Sequence, residues 1–270
     1  MELYPNYETD ISFKYLKQVI DILDEPICIL GGWAVYFTVN KNIKKDRGIG
    51  YLGSKDIDLG FHIGRNLNER NLNNTAIAKT IKLLEKNGFL PLSFRYYKDI
   101  NIETGEELTK EQSTKTPSHN IFQIYVDLIV DEIHPKFKKT FGLDPIDESL
   151  LKHVFEEKNN RIELKEFKKM LWLPTPEILL ATKIKSLPNR TKDNKKIKDL
   201  CDIYSLGWYS GKKINRLKEA ISYFNTKKER DSVVKCIGED GILLDSCQQA
   251  MGIEKETIKN LVIELLKVNK

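Results

Sequence analysis

Asp56 and Asp58 stand one residue apart in the run Gly53-Ser54-Lys55-Asp56-Ile57-Asp58-Leu59-Gly60. In a β-strand side chains alternate, so both carboxylates share one face while Ile57 and Leu59 take the other. Two like charges on one face of a half-buried strand are costly unless something compensates them. A divalent cation is the obvious compensation. A third carboxylate, Asp127, stands in the apolar middle of Ile121-Phe122-Gln123-Ile124-Tyr125-Val126-Asp127-Leu128-Ile129-Val130, the strongest strand signal in the chain. Oxygen-only donors on rigid strands suit Mg²⁺ or Mn²⁺ rather than zinc. Two such ions about 3.5–4 Å apart form the clamp that serves in-line phosphoryl or nucleotidyl transfer.

A phosphate-bearing substrate needs its own partners. Ile27-Cys28-Ile29-Leu30 reads as a short buried strand, followed by Gly31-Gly32 and then a helix from Trp33. A strand, two glycines and a helix start make an anion cradle, because glycine lets the backbone approach and the first helical N–H groups are free. Ser54 adds a hydroxyl donor, and Lys183 on a later helix adds a point charge for a triphosphate. From Lys158 to Lys198 there are 12 Lys/Arg against 4 Asp/Glu, a local +8 in a chain of net +5. Clustered Lys/Arg is what contacts nucleic-acid phosphates, so this segment favours an RNA acceptor slightly.

These side chains must be held by regular elements. Apolar spacing predicts a helix over Ile11–Leu23, closed by Glu25-Pro26. The polar, basic stretch Asn40–Gly50 reads as a mobile loop, and Asn66–Asn74 as a polar connector. Thr75–Asn87 is an amphipathic helix stopped at Asn87-Gly88. Phe89–Ile100 reads as one strand, Glu103–Glu106 as a hairpin turn, and Thr109–His119 as a polar loop. Asp147–Glu157 is helical, Arg161–Phe167 a strand, and Pro174-Thr175-Pro176-Glu177 starts a helix that Pro188 ends. Lys192–Leu206 is another helix, and two or three amphipathic helices fill Lys213–Lys270.

Strand–Gly-Gly–helix, then Ser54-Lys55-Asp56-Ile57-Asp58-Leu59, then Val126-Asp127-Leu128 resembles the DNA polymerase β-like nucleotidyltransferase superfamily. The closer resemblance is to AbiEii-type nucleotidyltransferases of abortive-infection and toxin–antitoxin systems. Leu180-Ala181-Thr182-Lys183-Ile184-Lys185-Ser186-Leu187 is similar to that family's lysine helix. Lys198-Asp199-Leu200-Cys201-Asp202-Ile203-Tyr204 is similar to its Asp-x-x-Asp helix, which puts Asp199 and Asp202 among the nucleotide contacts. Lys195/Asp199 and Lys198/Asp202 also have the i,i+4 spacing of plain helical ion pairs. The Gly32–Ser54 gap is long for the superfamily, which an inserted loop at Asn40–Gly50 would explain.

The resemblance implies an α+β (α/β) architecture. A mixed-sheet nucleotidyltransferase core, residues 1–145, would carry metals at Asp56, Asp58 and Asp127. A mainly helical region, residues 146–270, would complete the nucleotide site. The implied reaction moves an NMP from an NTP to an acceptor hydroxyl on an RNA or tRNA 3′ end, a protein, or a small molecule, and releases pyrophosphate. A cognate antitoxin is the implied partner. The competing class is a non-catalytic nucleotide- or RNA-binding module on the same fold, which the three intact carboxylates argue against.

The composition, 40% hydrophobic and 31% charged over 270 residues, is that of a globular protein with no apolar run long enough for a membrane span. Nothing at the N-terminus reads as a signal peptide, so the expected location is cytoplasmic. Cys28, Cys201, Cys236 and Cys247 are scattered without a CxxC pair and read as reduced thiols.

Overall fold

The computed structural model describes residues 3–64, 67–239 and 241–267. In chain order the elements are α1 (Asn6–Ile22), β1 (Ile27–Ile29), α2 (Gly31–Arg47), β2 (Asp56–Phe61), α3 (Glu69–Leu72) and α4 (Ala76–Lys86). There follow β3 (Leu90–Leu92), β4 (Arg95–Asn101), β5 (Glu107–Leu108), α5 (Lys110–Lys115), β6 (Ile121–Val130), α6 (Phe137–Phe141), β7 (Ile146–Asp147) and α7 (Leu151–Glu156). The chain continues through β8 (Arg161–Glu166), β9 (Lys169–Pro174), α8 (Pro176–Ser186), α9 (Asp193–Tyr209), α10 (Ile214–Phe224), α11 (Lys227–Glu239), α12 (Gly241–Met251) and α13 (Lys255–Leu266). Among the described residues no helix is long and apolar enough to cross a membrane.

The chain forms two compact units, one of Asn6–Trp33 with Gly53–Leu173, the other of Met1–Pro5, Ala34–Leu52 and Pro174–Lys270. The first holds a mixed sheet in the order β3-β4-β6-β2-β1-β9-β8, with β5 on β4 and β7 on β6. Pairs β2–β6 and β1–β9 are parallel; β1–β2 and β4–β6 are antiparallel. The second is helical. The fold is thus α+β, with a mixed sheet and a helical C-terminal region.

In the sheet unit, strand alternation sorts the side chains. Ile57, Leu59, Val126 and Leu128 are buried, each no more than 2% exposed. The residues between them, Asp56, Asp58, Tyr125 and Asp127, fall on the other face. α4 follows the amphipathic pattern closely. Ile77, Ile81 and Leu84 are buried, Thr75 caps the first turn by accepting from Ala78 N–H, and Asn87 closes the last.

In the helical unit, α8 begins with Thr175 at the N-cap and Pro176 just inside, where a missing N–H costs nothing. Gly207 sits inside α9 rather than ending it. A Cβ there would lie 2.6 Å from Leu265 Cδ1, so the glycine allows close passage of α13. Four helices, not two or three, occupy the described residues after 213.

Three other expectations are corrected. Asn40–Gly50 is not a loop: α2 continues to Arg47. Val35, Val39 and Ile43 are buried at i,i+4 spacing, so the charges that suggested a loop are the exposed face of a helix. Lys44, Lys45 and Arg47 in the last turn suit the negative end of its dipole, and Gly48 closes it at φ +72°. Phe89–Ile100 is a hairpin, not one strand: Ser93 turns at φ 55° between β3 and β4. Thr109–His119 contains α5, nucleated by a capping box between Thr109 and Gln112. The connector 66–74 includes the one-turn α3, and its first residue lies outside the described residues.

Candidate functional site

The candidate site grows from the β2–β6 register. Asp58 is the direct partner of Asp127 across these parallel strands, and Asp56 is the partner of Tyr125. Parallel partners point to the same face, so the register puts the three carboxylates side by side. On the far side of β6, Arg95 of β4 is the partner of Asp127. One row across three strands therefore reads Arg95–Asp127–Asp58, and the next reads Tyr97–Tyr125–Asp56.

Arg95 was not foreseen from the sequence. Its Nη2 donates to Asp127 Oδ2 at 2.8 Å. The guanidinium carbon lies 4.7 Å from the centre of the Phe94 ring and 4.4 Å from that of Tyr125. Two aromatic neighbours hold a planar cation well, since a ring face attracts positive charge. A cation inside the alternating run Arg95–Ile100 was the available signal. It became informative only once the hairpin gave β4 its register against β6.

Asp127 is 6% exposed, and its Oδ1 has no hydrogen-bond partner among the described residues. Burial first, then the Asp58 charge and to a smaller extent that of Asp56, push its carboxyl up to about 7 against the pull of Arg95. This is the electrostatic signature of a group with too little positive charge around it.

Gly31 explains why glycine precedes the helix. Its φ is +58°, and a Cβ there would lie 1.8 Å from Asp58 Oδ2. Only glycine accepts that backbone and lets the Asp58 carboxylate lie over it. Leu30 N–H donates to the Asp58 carbonyl at 2.9 Å, so the end of β1 and the start of α2 are tied to the same residue. Gly31 and Gly32 are the first residues of the 17-residue α2, where backbone N–H groups lack intrahelical partners. Ser54 Oγ donates to the Asp56 carbonyl at 3.1 Å, which commits its hydrogen to the entry of β2.

The other sequence candidates lie in the helical unit, where they gather around one another. Lys183 Nζ is 2.6 Å from Asp199 Oδ1 and 2.8 Å from Asp202 Oδ2. Ser186 Oγ donates to Asp199 Oδ2 at 2.8 Å, and Arg190 Nε donates to the same oxygen at 2.6 Å. Asp202 pairs with Lys198 in its own helix and accepts from Tyr51 Oη at 2.6 Å. Burial alone would push Asp199 up, but Lys183 and Arg190 together hold it at about 2. Burial likewise opposes the charge on Lys183, yet the two aspartates raise it well above its ordinary range. The lysine and Asp-x-x-Asp stretches are thus brought together as a buried ion cluster pinning α8 to α9.

Does the residue set of the sheet unit fit a divalent ion? Among the described residues no three His, Cys, Asp or Glu side chains are gathered tightly enough to ligate an ion as they stand. Burial and the neighbouring carboxylates disfavour charge on Asp127, and Arg95 meets one of its oxygens. The donors are all oxygens, one is an orphaned buried carboxylate oxygen, and Gly31 makes the room that the Asp58 carboxylate occupies. On those three grounds the residues fit Mg²⁺ or Mn²⁺.

No family model and no curated protein matches the chain. A solved structure described as an antigenic nucleotidyltransferase-like protein from Paracoccidioides brasiliensis is similar at 17% identity, over 90% of this chain and 92% of that one, with a TM-score of 0.41.

Proposed function

We propose that the chain is a metal-dependent nucleotidyltransferase that moves an NMP from an NTP to an acceptor hydroxyl. The observation that carries this reading is the pairing of Asp58 with Asp127, with Asp56 on the same face and an unpartnered Asp127 Oδ1. Asp56, Asp58 and Asp127 would hold Mg²⁺ or Mn²⁺, which supplies positive charge for activating the acceptor oxygen and neutralising the leaving pyrophosphate.

The chain's own residues have separate tasks. The acceptor hydroxyl loses its proton to solvent as its oxygen bonds to the α-phosphorus, and the bond from that phosphorus to the α–β bridging oxygen breaks to release pyrophosphate. The first N–H groups of α2, at Gly31 and Gly32, receive phosphate oxygens of the NTP. Gly31, by lacking a Cβ, keeps Asp58 in place. Arg95 holds Asp127 by one oxygen and leaves the other for a ligand. Ser54 orders the backbone that presents Asp56. We assign Lys183, Asp199 and Asp202 a positioning role first, because their charges are spent on one another. A triphosphate contact by Lys183 remains part of the reading through the sequence resemblance alone.

The acceptor class is an RNA 3′ end, a protein hydroxyl or a small molecule, with the basic segment favouring RNA. Membership of a toxin–antitoxin pair rests on the resemblance: growth arrest on expression that vanishes in Asp56→Ala supports it, and arrest that persists contradicts a catalytic toxin. The reaction itself is tested by pyrophosphate release from each NTP with Mg²⁺ or Mn²⁺ and total RNA or protein. Release abolished by Asp58→Asn supports transfer. Tight nucleotide binding without release, across acceptors, identifies a binding module instead.

A further inference from the structure

The sheet unit contains a second concavity, a cavity of about 290 Å³ that none of Asp56, Asp58 and Asp127 lines. It stands at the lower end of the range of about 300–1,000 Å³ in which small-molecule sites fall. Leu23, Ile27, Phe61 and Leu83 give it apolar walls, and Phe155 and Trp172 give it aromatic ones. His62 also lines it, with its ring centre 5.8 Å from that of Phe155, which is in turn 6.1 Å from Trp172.

Two polar groups in this cavity have hydrogen-bonding capacity to spare. His62 Nδ1 is hydrogen-bonded to Asp131 Oδ2, and the other Asp131 oxygen accepts the Ile63 N–H at 2.8 Å. The carboxylate takes Nδ1–H, which leaves Nε2 for a further hydrogen bond. Thr80 is 5% exposed and lines the cavity, and its hydroxyl has no hydrogen-bond partner among the described residues. A helical threonine usually bonds the carbonyl four residues back. Facing the cavity, this hydroxyl can meet the polar edge of a ligand. The rim sets Lys79 against two carboxylates, Asp24 and Glu25, with Lys79 Nζ 4.0 Å from Asp24 Oδ2. Such a rim gives no net attraction to a polyphosphate.

We infer that this cavity binds the uncharged heteroaromatic ring of a nucleobase or nucleoside, stacked on its aromatic wall and hydrogen-bonded by His62 Nε2 and the Thr80 hydroxyl. The site is separate from the carboxylate row and does not depend on the transfer reaction. Its test is equilibrium dialysis of the full chain against adenosine, guanosine, cytidine and uridine, without metal.

At least one nucleoside binds saturably. Thr80→Val, nearly isosteric, weakens it about fivefold, the effect of one hydrogen bond of about 1 kcal/mol. Leu83→Trp, which fills the cavity, abolishes it, while Asp58→Asn leaves it unchanged. Circular dichroism and thermal melting verify each fold; if Leu83→Trp fails to fold, Thr80→Val decides. No saturable binding by any of the four overturns the proposal. So does binding that ignores Thr80→Val, or that disappears in Asp58→Asn, which would place the nucleoside at the carboxylates.

Discussion

Asp58 and Asp127 face each other across two neighbouring parallel strands, and Arg95 stands on the far side of Asp127 in the same row. Arg95 takes one oxygen of Asp127, and the other, buried, has no hydrogen-bond partner among the described residues. Supplying a divalent cation to this row should stabilise the fold. Mn²⁺ or Mg²⁺ at about one hundred times its dissociation constant adds about 2–3 kcal/mol to unfolding free energy. Differential scanning fluorimetry should show the melting temperature rising with metal in the wild type and staying level in Asp58→Asn.

Arg95 is the cation that meets Asp127, so removing it leaves that carboxylate short of positive charge. Arg95→Gln lowers the stability of the metal-free protein by about 1–3 kcal/mol. The same variant gains more from Mn²⁺ than the wild type does. Urea unfolding with and without metal measures both numbers. An equal metal effect in the two proteins would detach Arg95 from the carboxylate row.

Gly31→Ala tests the cradle. The left-handed backbone costs a non-glycine residue about 1–2 kcal/mol, and the new methyl carbon falls on Asp58 Oδ2. Urea denaturation should report a loss of at least that size. Metal-dependent stabilisation should fall with it, since Asp58 must move.

The ion cluster of the helical unit gives a pH dependence of opposite origin. Asp199 is held at about 2 in the fold, below its ordinary range near 4. A lowered folded-state value stabilises the protein above the unfolded value, and that stability is lost as pH falls through the window from about 4 to 2. The loss is about 2 kcal/mol over that window. Asp199→Asn removes the dependence and, by leaving Lys183 and Arg190 short of charge, costs about 3–5 kcal/mol at neutral pH. Denaturant unfolding between pH 7 and pH 2.5 measures both.

The carboxylate set was legible in the sequence because strand alternation is a strict rule. Two aspartates at i,i+2 must share a face, and Ile121–Val130 carries enough β-branched and aromatic residues to be a strand. Arg95 was not legible, because its place depends on the β4–β6 register, which pairs it with Asp127, 32 residues along the chain. The 40–47 stretch misled because exposed lysines look alike on a helix and in a loop, although Val35, Val39 and Ile43 carried the helical period. That Lys183 and Ser186, with Arg190 beyond the end of α8, converge on Asp199 was visible only in the packing of α8 on α9.

The central claim is most directly tested by supplying NTPs labelled at the α-phosphorus, with Mg²⁺ or Mn²⁺ and a mixed pool of RNA, protein and small-molecule acceptors. The account predicts that label becomes covalently bound to one acceptor class, with one pyrophosphate released per label and both lost in Asp58→Asn. Label that never leaves the nucleotide, in a folded wild-type protein that binds both metal and NTP, would contradict it.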